Sequence, residues 1–340
     1  MAVLFSVDAH AAGGPCRVVH AGVPPLRGGD ALERSAYFRR ELDWIRRALM
    51  HEPRGHAGEF GAVLGPPVRE TSTYSLIFFD PAGYVEGCGH GTFCSVAVWQ
   101  RMIGELATPF EIDNPDGSVT TVLAAEGDGE TCSATVRLPA ARVLGDGIGL
   151  PWEDGITAAL VWCGNPYVVV DVAELGERGQ EAFTGIEARR RVLGELLRSA
   201  EEGIDLKGSA IPEVLAYRVR DGERAFETSV LFNRTQIDRS PCGTGSGALA
   251  SLLLARGEIE PGEPITTYGP RRLGFEVVVE PASGEEGCPV RLKATAHITG
   301  VHEWIIGAAD PLRAGLGGGE AWALEDPLPD TVSAALNREG

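Results

Sequence analysis

The chain has 340 residues, a formal net charge of −18, and 44% hydrophobic against 23% charged residues, a length and balance that suit a globular protein of two ordinary domains with a sizeable core. The acidic excess argues against nucleic acid or an anionic membrane surface as partner, since both require a basic face. No run of about 18 apolar residues is present to span a membrane.

Residues 2–7 read as a first strand, and the same stretch lacks the basic n-region and long apolar core of a signal peptide, so the expected compartment is the cytoplasm. A small-residue loop over 8–15 leads to a strand at 17–21, and a turn-rich connection at 24–30 to an amphipathic helix over 31–51. A polar loop at 51–56, an apolar run and a buried strand at 75–79 precede the first cysteine-glycine stretch. Strands follow at 111–113, 118–125 and 131–138, separated by Asn-Pro-Asp-Gly and Gly-Asp-Gly turns. Gly145–Gly149 marks the expected domain boundary. Beyond it come strands at 158–163 and 167–172, a charged helix at 187–201, and strands at 213–219 and 226–232. The second cysteine stretch is followed by strands at 275–279, 290–293 and 301–306, with residues 314–340 as a Gly-, Glu- and Pro-rich tail.

The two stretches are Glu86-Gly-Cys-Gly-His-Gly-Thr-Phe-Cys94 and Asp238-Arg-Ser-Pro-Cys-Gly-Thr-Gly-Ser-Gly-Ala248. Each sets a cysteine before Gly-x-Gly, runs into an apolar helical segment, and stops at a glycine, Gly104 or Gly257. The free N–H groups of a helix start bind anions, and glycine lets a ligand approach the backbone closely. Two such ends facing each other would hold a carboxylate from both sides. A thiol there is expected to have its pKa lowered by the helix end. Inversion at a carbon needs a base on one face and an acid on the other, and two like residues can exchange those roles. Cys88 and Cys242 are therefore the candidate catalytic pair, with His90 and Asp238 placed to hold an amino group. Gly89, Gly91, Gly243, Thr244 and Gly245 complete the candidate substrate-binding set.

The other cysteines, Cys16, Cys94, Cys132, Cys163 and Cys288, read as small apolar residues. Their odd total and loose spacing give no disulfide scaffold and no structural zinc site. No nicotinamide, flavin or phosphate motif appears, so no cofactor is expected.

At these residues the sequence resembles the proline racemase family, which includes hydroxyproline 2-epimerases. Cys88-Gly-His-Gly-Thr92 is similar to the family's first catalytic stretch and Asp238-Arg-Ser-Pro-Cys-Gly-Thr-Gly245 to its second. The likeness extends through Asp8-x-His10, Pro15-x-Arg-Val-Val19, Glu52-Pro-Arg-Gly-His56, Ile298-Thr-Gly300 and Asp310-Pro311. It implies an α+β fold of two similar domains of the diaminopimelate-epimerase-like type, each a curved sheet around a central helix, with the active site in the cleft between them. On that basis the first domain covers residues 1–145 and the second 150–296, the strand within 297–313 returns to the first, and 314–340 is the tail. It also implies that Cys88 and Cys242 are the acid/base thiols, that Gly89, His90, Asp238, Gly243 and Thr244 bind the amino acid, and that no cofactor or metal is used.

The implied activity is inversion of the α-carbon of proline, 4-hydroxyproline or a related cyclic amino acid. The alternatives are a 3-hydroxyproline dehydratase of the same fold, whose members usually replace at least one of the cysteines by a hydroxyl residue, and a non-catalytic amino-acid-binding protein. The expected partners are the small amino acid and, in a homodimer, a second copy of the chain. The family's His-Thr-x-Gly-Glu-Pro loop is His10-Ala-Ala-Gly-Gly-Pro15 here. Its Gly-His-x-Asp-Met is Gly55-His-Ala-Gly-Glu59, and its Gly-Asn-Phe is Gly164-Asn-Pro166. No histidine lies between His90 and His297, where members acting on 4-hydroxyproline often carry one. These departures leave the chemistry and bear on the substrate's side chain.

Overall fold

The computed structural model describes residues 1–152, 155–204, 212–220, 224–232, 234–282 and 287–316; most of the expected tail, 317–340, lies outside the described residues. Strands β1 (Ala2–Ala11) and β2 (Gly14–Ala21) form a hairpin closed by Ala12 and Gly13, both at positive φ. This tight turn replaces the loop expected over 8–15. It puts His10 on β1, stacked on His297 with ring centroids 5.1 Å apart. The single helix expected over 31–51 is two, α1 (Ala31–Glu41) and α2 (Asp43–Met50), because Leu42 leaves the helical region at φ −120° and ψ 9°.

The apolar run before residue 75 supplies β3 (Gly61–Gly65), a strand the sequence pattern left unassigned, and β4 (Ser72–Phe79) and β5 (Tyr84–Val85) follow. Helix α3 (Gly89–Ile103) leads to β6 (Phe110–Asp113), β7 (Val119–Gly127) and β8 (Thr131–Leu150). Strand β8 continues through Gly145–Gly149, with register shifts against β9 between Val143 and Ile148. The remaining chain forms β9 (Ile156–Cys163), β10 (Asn165–Asp171), α4 (Glu177–Glu181), α5 (Ile186–Gly203), β11 (Glu213–Val219), β12 (Ala225–Phe232) and β13 (Gln236–Ile237). Helix α6 (Gly243–Ala255), β14 (Ile265–Tyr268), β15 (Gly274–Val279) and β16 (Cys288–Ile306) complete it.

The strands expected at 290–293 and 301–306 are one element. Alternation carries through 296–300: Val290, Leu292, Ala294 and Ala296 are buried and Ile298 and Gly300 half-buried, while the residues between them are exposed,. Thr299 is absorbed as a bulge, since Asp8 pairs Gly300 while Ala9 pairs Ile298,.

The pairings make two closed circuits. One runs β8-β7-β6-β4-β3-β2-β1-β16 and returns to β8; the other runs β8-β9-β10-β11-β12-β14-β15-β16 and also returns to β8. Strands β8 and β16 belong to both, paired antiparallel from Cys288 opposite Ala141 to His297 opposite Thr131. Closure leaves few strand edges unpaired. Helix α3 packs on β1, β2, β3, β7, β8 and β16, and α6 on β8, β9, β10, β15 and β16. Consecutive residues of each are buried, Val96, Ala97 and Val98 in α3 and Leu252 and Leu253 in α6. Helices apolar on all sides belong inside a core, so each is the central helix of its circuit. The shared wall of Val136, Leu138, Val290 and Leu292 lies in the same core as both helices.

Candidate active site

Each central helix starts at a cysteine. Cys88 is the N-cap of α3 with an extended backbone, and its Sγ accepts the Gly91 N–H at 3.3 Å,. Cys242 precedes α6 at φ 66°, a left-handed conformation uncommon for a residue with a side chain. Its N–H donates to Ser240 Oγ at 3.1 Å, and its carbonyl accepts from Ser246 Oγ at 2.6 Å. These bonds fix the strained residue in place.

The two helix starts abut. A Cβ added to Gly89 would lie 3.0 Å from Gly243 Cα, and one added to Gly243 would lie 3.1 Å from Gly89 Cα and 3.0 Å from Leu292 Cδ2. The glycines thus permit a backbone approach that no other residue type allows. Above this contact is a cavity of about 300 Å³, lined by Cys88, Gly89, His90, Asp238, Cys242, Gly243 and Thr244. Seven of the nine candidate residues therefore share one cavity. Gly91 and Gly245 lie behind the thiols instead: the Gly91 N–H donates to Cys88 Sγ, and a Cβ added to Gly245 would lie 3.1 Å from Cys242 Sγ.

The electrostatics differ from the sequence expectation. Burial, the largest cause, pushes both thiols well above their usual range, and the Asp238 carboxylate adds to it. The N–H of Gly91 and that of Gly245, with the Tyr167 hydroxyl, oppose this without overcoming it. The thiol-lowering effect expected of the helix ends is thus reversed by desolvation and by carboxylates in the same cleft. His90 is buried edge-on to Phe60 at 4.7 Å, with Nδ1 3.3 Å from Cys88 Sγ. Burial lowers its pKa, against the raising effects of Asp238 and a hydrogen bond to the Pro15 backbone. The ring is therefore neutral at neutral pH. Asp238 accepts the Ser240 N–H at 2.8 Å.

Residues that sequence reasoning missed also line the cavity, among them Phe60, Asn165, Tyr167, Glu213, Phe232 and Arg234. Asn165 carried a faint signal in its Gly-Asn-Pro turn. Glu213 and Tyr167 carried none, because each sits in an ordinary strand pattern. Of the charged side chains lining the cavity, Glu86 is paired with Arg39 and Arg234 with Glu201, both at 2.7 Å. Asp238 and Glu213 are the carboxylates that face the cavity without a salt-bridge partner among the described residues.

One expectation follows directly. Asp238→Asn removes a charge that raises both thiols, so both sulfurs carry more thiolate at a given pH. Alkylation of Cys88 and Cys242 at neutral pH is expected to rise about threefold, half a pKa unit or so, as measured on the two peptides by mass spectrometry.

Comparison with known proteins identifies the lineage. The sequence profile described as proline racemase matches residues 6–317. The chain belongs to the proline racemase family. It is 27% identical over 327 residues to a proline racemase of Acetoanaerobium sticklandii, covering 92% of this chain and 97% of that one. To a 4-hydroxyproline 2-epimerase of Cereibacter sphaeroides it is 31% identical over 326 residues, covering 90% and 95%. The structure of a hydroxyproline epimerase from Agrobacterium vitis superposes with a TM-score of 0.77 at 21% identity, over 95% of this chain and 97% of that one. The α+β architecture is therefore that of the proline racemases, and the chain is an isomerase of the racemase/epimerase type. No helix among the described residues is long and apolar enough to cross a membrane.

Proposed function

We propose that this member of the family inverts the α-carbon of proline, 4-hydroxyproline or a related cyclic amino acid, using Cys88 and Cys242 as a two-thiol acid/base pair without a cofactor. The observation that carries this reading is the pairing of two cysteine-capped helix starts across one small cavity. Its volume of about 300 Å³ is at the lower end for ligand pockets and suits a single amino acid.

In this reading the substrate carboxylate takes the unpartnered N–H groups at the starts of α3 and α6, around Gly89, His90, Gly243 and Thr244. Its ammonium faces Asp238. That cation offsets the carboxylate that holds both thiols protonated, so binding itself favours one thiolate. The thiolate takes the α-proton on one face, the opposite thiol gives its proton on the other, and the roles exchange for the reverse reaction. The neutral His90 ring accepts a hydrogen bond from the Cys88 thiol. We also propose the division into domains at residues 145–150, with a cleft between them at the cysteines.

A panel of cyclic and acyclic amino acids assayed for inversion by chiral chromatography tests the substrate. Inversion of proline or 4-hydroxyproline is expected. Loss of water from 3-hydroxyproline without inversion would replace the reading by a dehydratase. Thermal stabilisation by a cyclic amino acid without turnover would leave a binding protein.

A further inference from the structure

Behind Cys242 is a set of polar contacts that simple two-thiol inversion does not require. Tyr167 on β10 and Glu213 on β11 are direct neighbours in the parallel register of those strands. Asn165 Nδ2 donates to Glu213 Oε1 at 3.2 Å, and the Tyr167 hydroxyl, beside the same carboxylate across the register, lowers its pKa. That hydroxyl also lies 3.4 Å from Cys242 Sγ and 2.7 Å from Thr244 Oγ1. Tyr167 is fully buried, so its one proton is shared among these neighbours and not with bulk water. Thr244 brings its own proton, which leaves the Tyr167 O–H to choose between Glu213 and Cys242.

We propose that Glu213 is a positioning residue for Cys242, selecting through the Tyr167 hydroxyl whether that sulfur rests as thiol or thiolate. The inference rests on the two-thiol reading above. With Glu213 ionised, the Tyr167 O–H points to the carboxylate, because a charge-assisted bond outcompetes one to a neutral thiol. Cys242 is then held as the thiol, the acid of the pair. When Glu213 takes a proton from solvent, the Tyr167 O–H is released to Cys242 and stabilises the thiolate, the base of the pair. Glu213 takes one proton from solvent and the Cys242 thiol gives one up to solvent, so the proton count of the site is unchanged; Tyr167 only turns its own.

The other groups facing this site act in known directions. Asp238 opposes a second negative charge on both Glu213 and Cys242, and it also raises Cys88. His90 is neutral, and Glu86 and Arg234 are paired outside the relay. Burial, opposed by the neighbouring Tyr167 hydroxyl and assisted by Asp238, brings Glu213 to about 7, so Glu213 changes charge near neutral pH. Titration of such linked groups belongs to the set and not to one residue.

The test is the pH profile of Cys242 alkylation by iodoacetamide, read on its peptide in the full chain without substrate. The wild type is expected to show an inflection near neutral pH, as ionising Glu213 works against the thiolate. Glu213→Gln is expected to remove the inflection and to raise the rate above neutral pH roughly three- to tenfold. Tyr167→Phe is expected to slow alkylation, and in its background Glu213→Gln should lose more than half its effect. A profile unchanged by Glu213→Gln overturns the proposal, and so does an effect of full size without Tyr167. Buried Cys163 reports an intact fold by staying unlabelled. Should Glu213→Gln expose it, Tyr167→Phe alone decides, with an unchanged rate overturning the relay. None of this needs a substrate, so failure here is distinguishable from failure of the amino-acid panel.

Discussion

Cys88→Ser and Cys242→Ser are each expected to lower the rate of α-carbon inversion by at least about 10³-fold, at the upper part of what one positioned acid or base contributes. A serine hydroxyl keeps the size and polarity of the thiol but is far harder to deprotonate, so it cannot take an α-proton from an amino acid. Serine is also a favoured N-cap, and the Gly91 N–H that now meets Cys88 Sγ at 3.3 Å can meet a hydroxyl instead. The melting temperature of Cys88→Ser is therefore expected to match or exceed the wild type. The loss should fall on kcat, with KM little changed, because the groups assigned to carboxylate and ammonium remain. Steady-state kinetics in both directions check this, and a loss below tenfold for either variant would remove that sulfur from the chemistry.

The second large effect concerns the contact beneath the cavity. Gly89→Ala and Gly243→Ala each put a methyl group about 3 Å from backbone of the facing helix start, and backbone cannot turn aside as a flexible side chain can. Relief requires the two starts to separate. Overpacking of this kind costs about 1–3 kcal/mol, and displacing the thiols by about 1 Å costs inversion about 10²-fold. Gly194→Ala in α5, where a methyl group meets nothing within 4 Å, is the control. It is expected to stabilise slightly through helix propensity and to leave activity unchanged. If both active-site alanine variants retained wild-type kcat, the close approach of the helices would be irrelevant to catalysis.

The sequence made the pair of helix starts legible because glycine, cysteine and an apolar run in fixed order have few structural uses. It also placed most of the strands, β11 and β12 almost to the residue, since short runs of mostly apolar and β-branched residues bounded by turns mark them,. What it hid was long-range. The break imagined at 296–300 is a one-residue bulge in β16, a distinction that depends on what Asp8 and Ala9 do across the ladder. The turn imagined over 8–15 is two residues long for the same reason. The direction of the thiol pKa shifts was misread because the helix end is a local feature visible in sequence, whereas burial and the approach of Asp238 and Glu213 arise only on folding. Glu213 itself is one acidic residue at the start of an ordinary strand. Its importance comes from sharing a register with Tyr167, which no local pattern reveals. Gly91 and Gly245 were grouped with the binding residues by their motif, whereas both pack behind the sulfurs.

The central claim is that two different residues serve opposite faces of one carbon, and early-time isotope incorporation tests it most directly. Wild-type enzyme is incubated in deuterium oxide with one stereoisomer of proline or 4-hydroxyproline, and both pools are recovered before a tenth of the substrate has turned over. With opposed thiols, the proton leaves to one sulfur and a solvent-equilibrated sulfur delivers the new one. Deuterium should then appear at the α-carbon of the inverted product and be nearly absent from the recovered substrate. Deuterium entering both pools at equal rates would mean that a single group serves both faces, and the two-cysteine account would be contradicted.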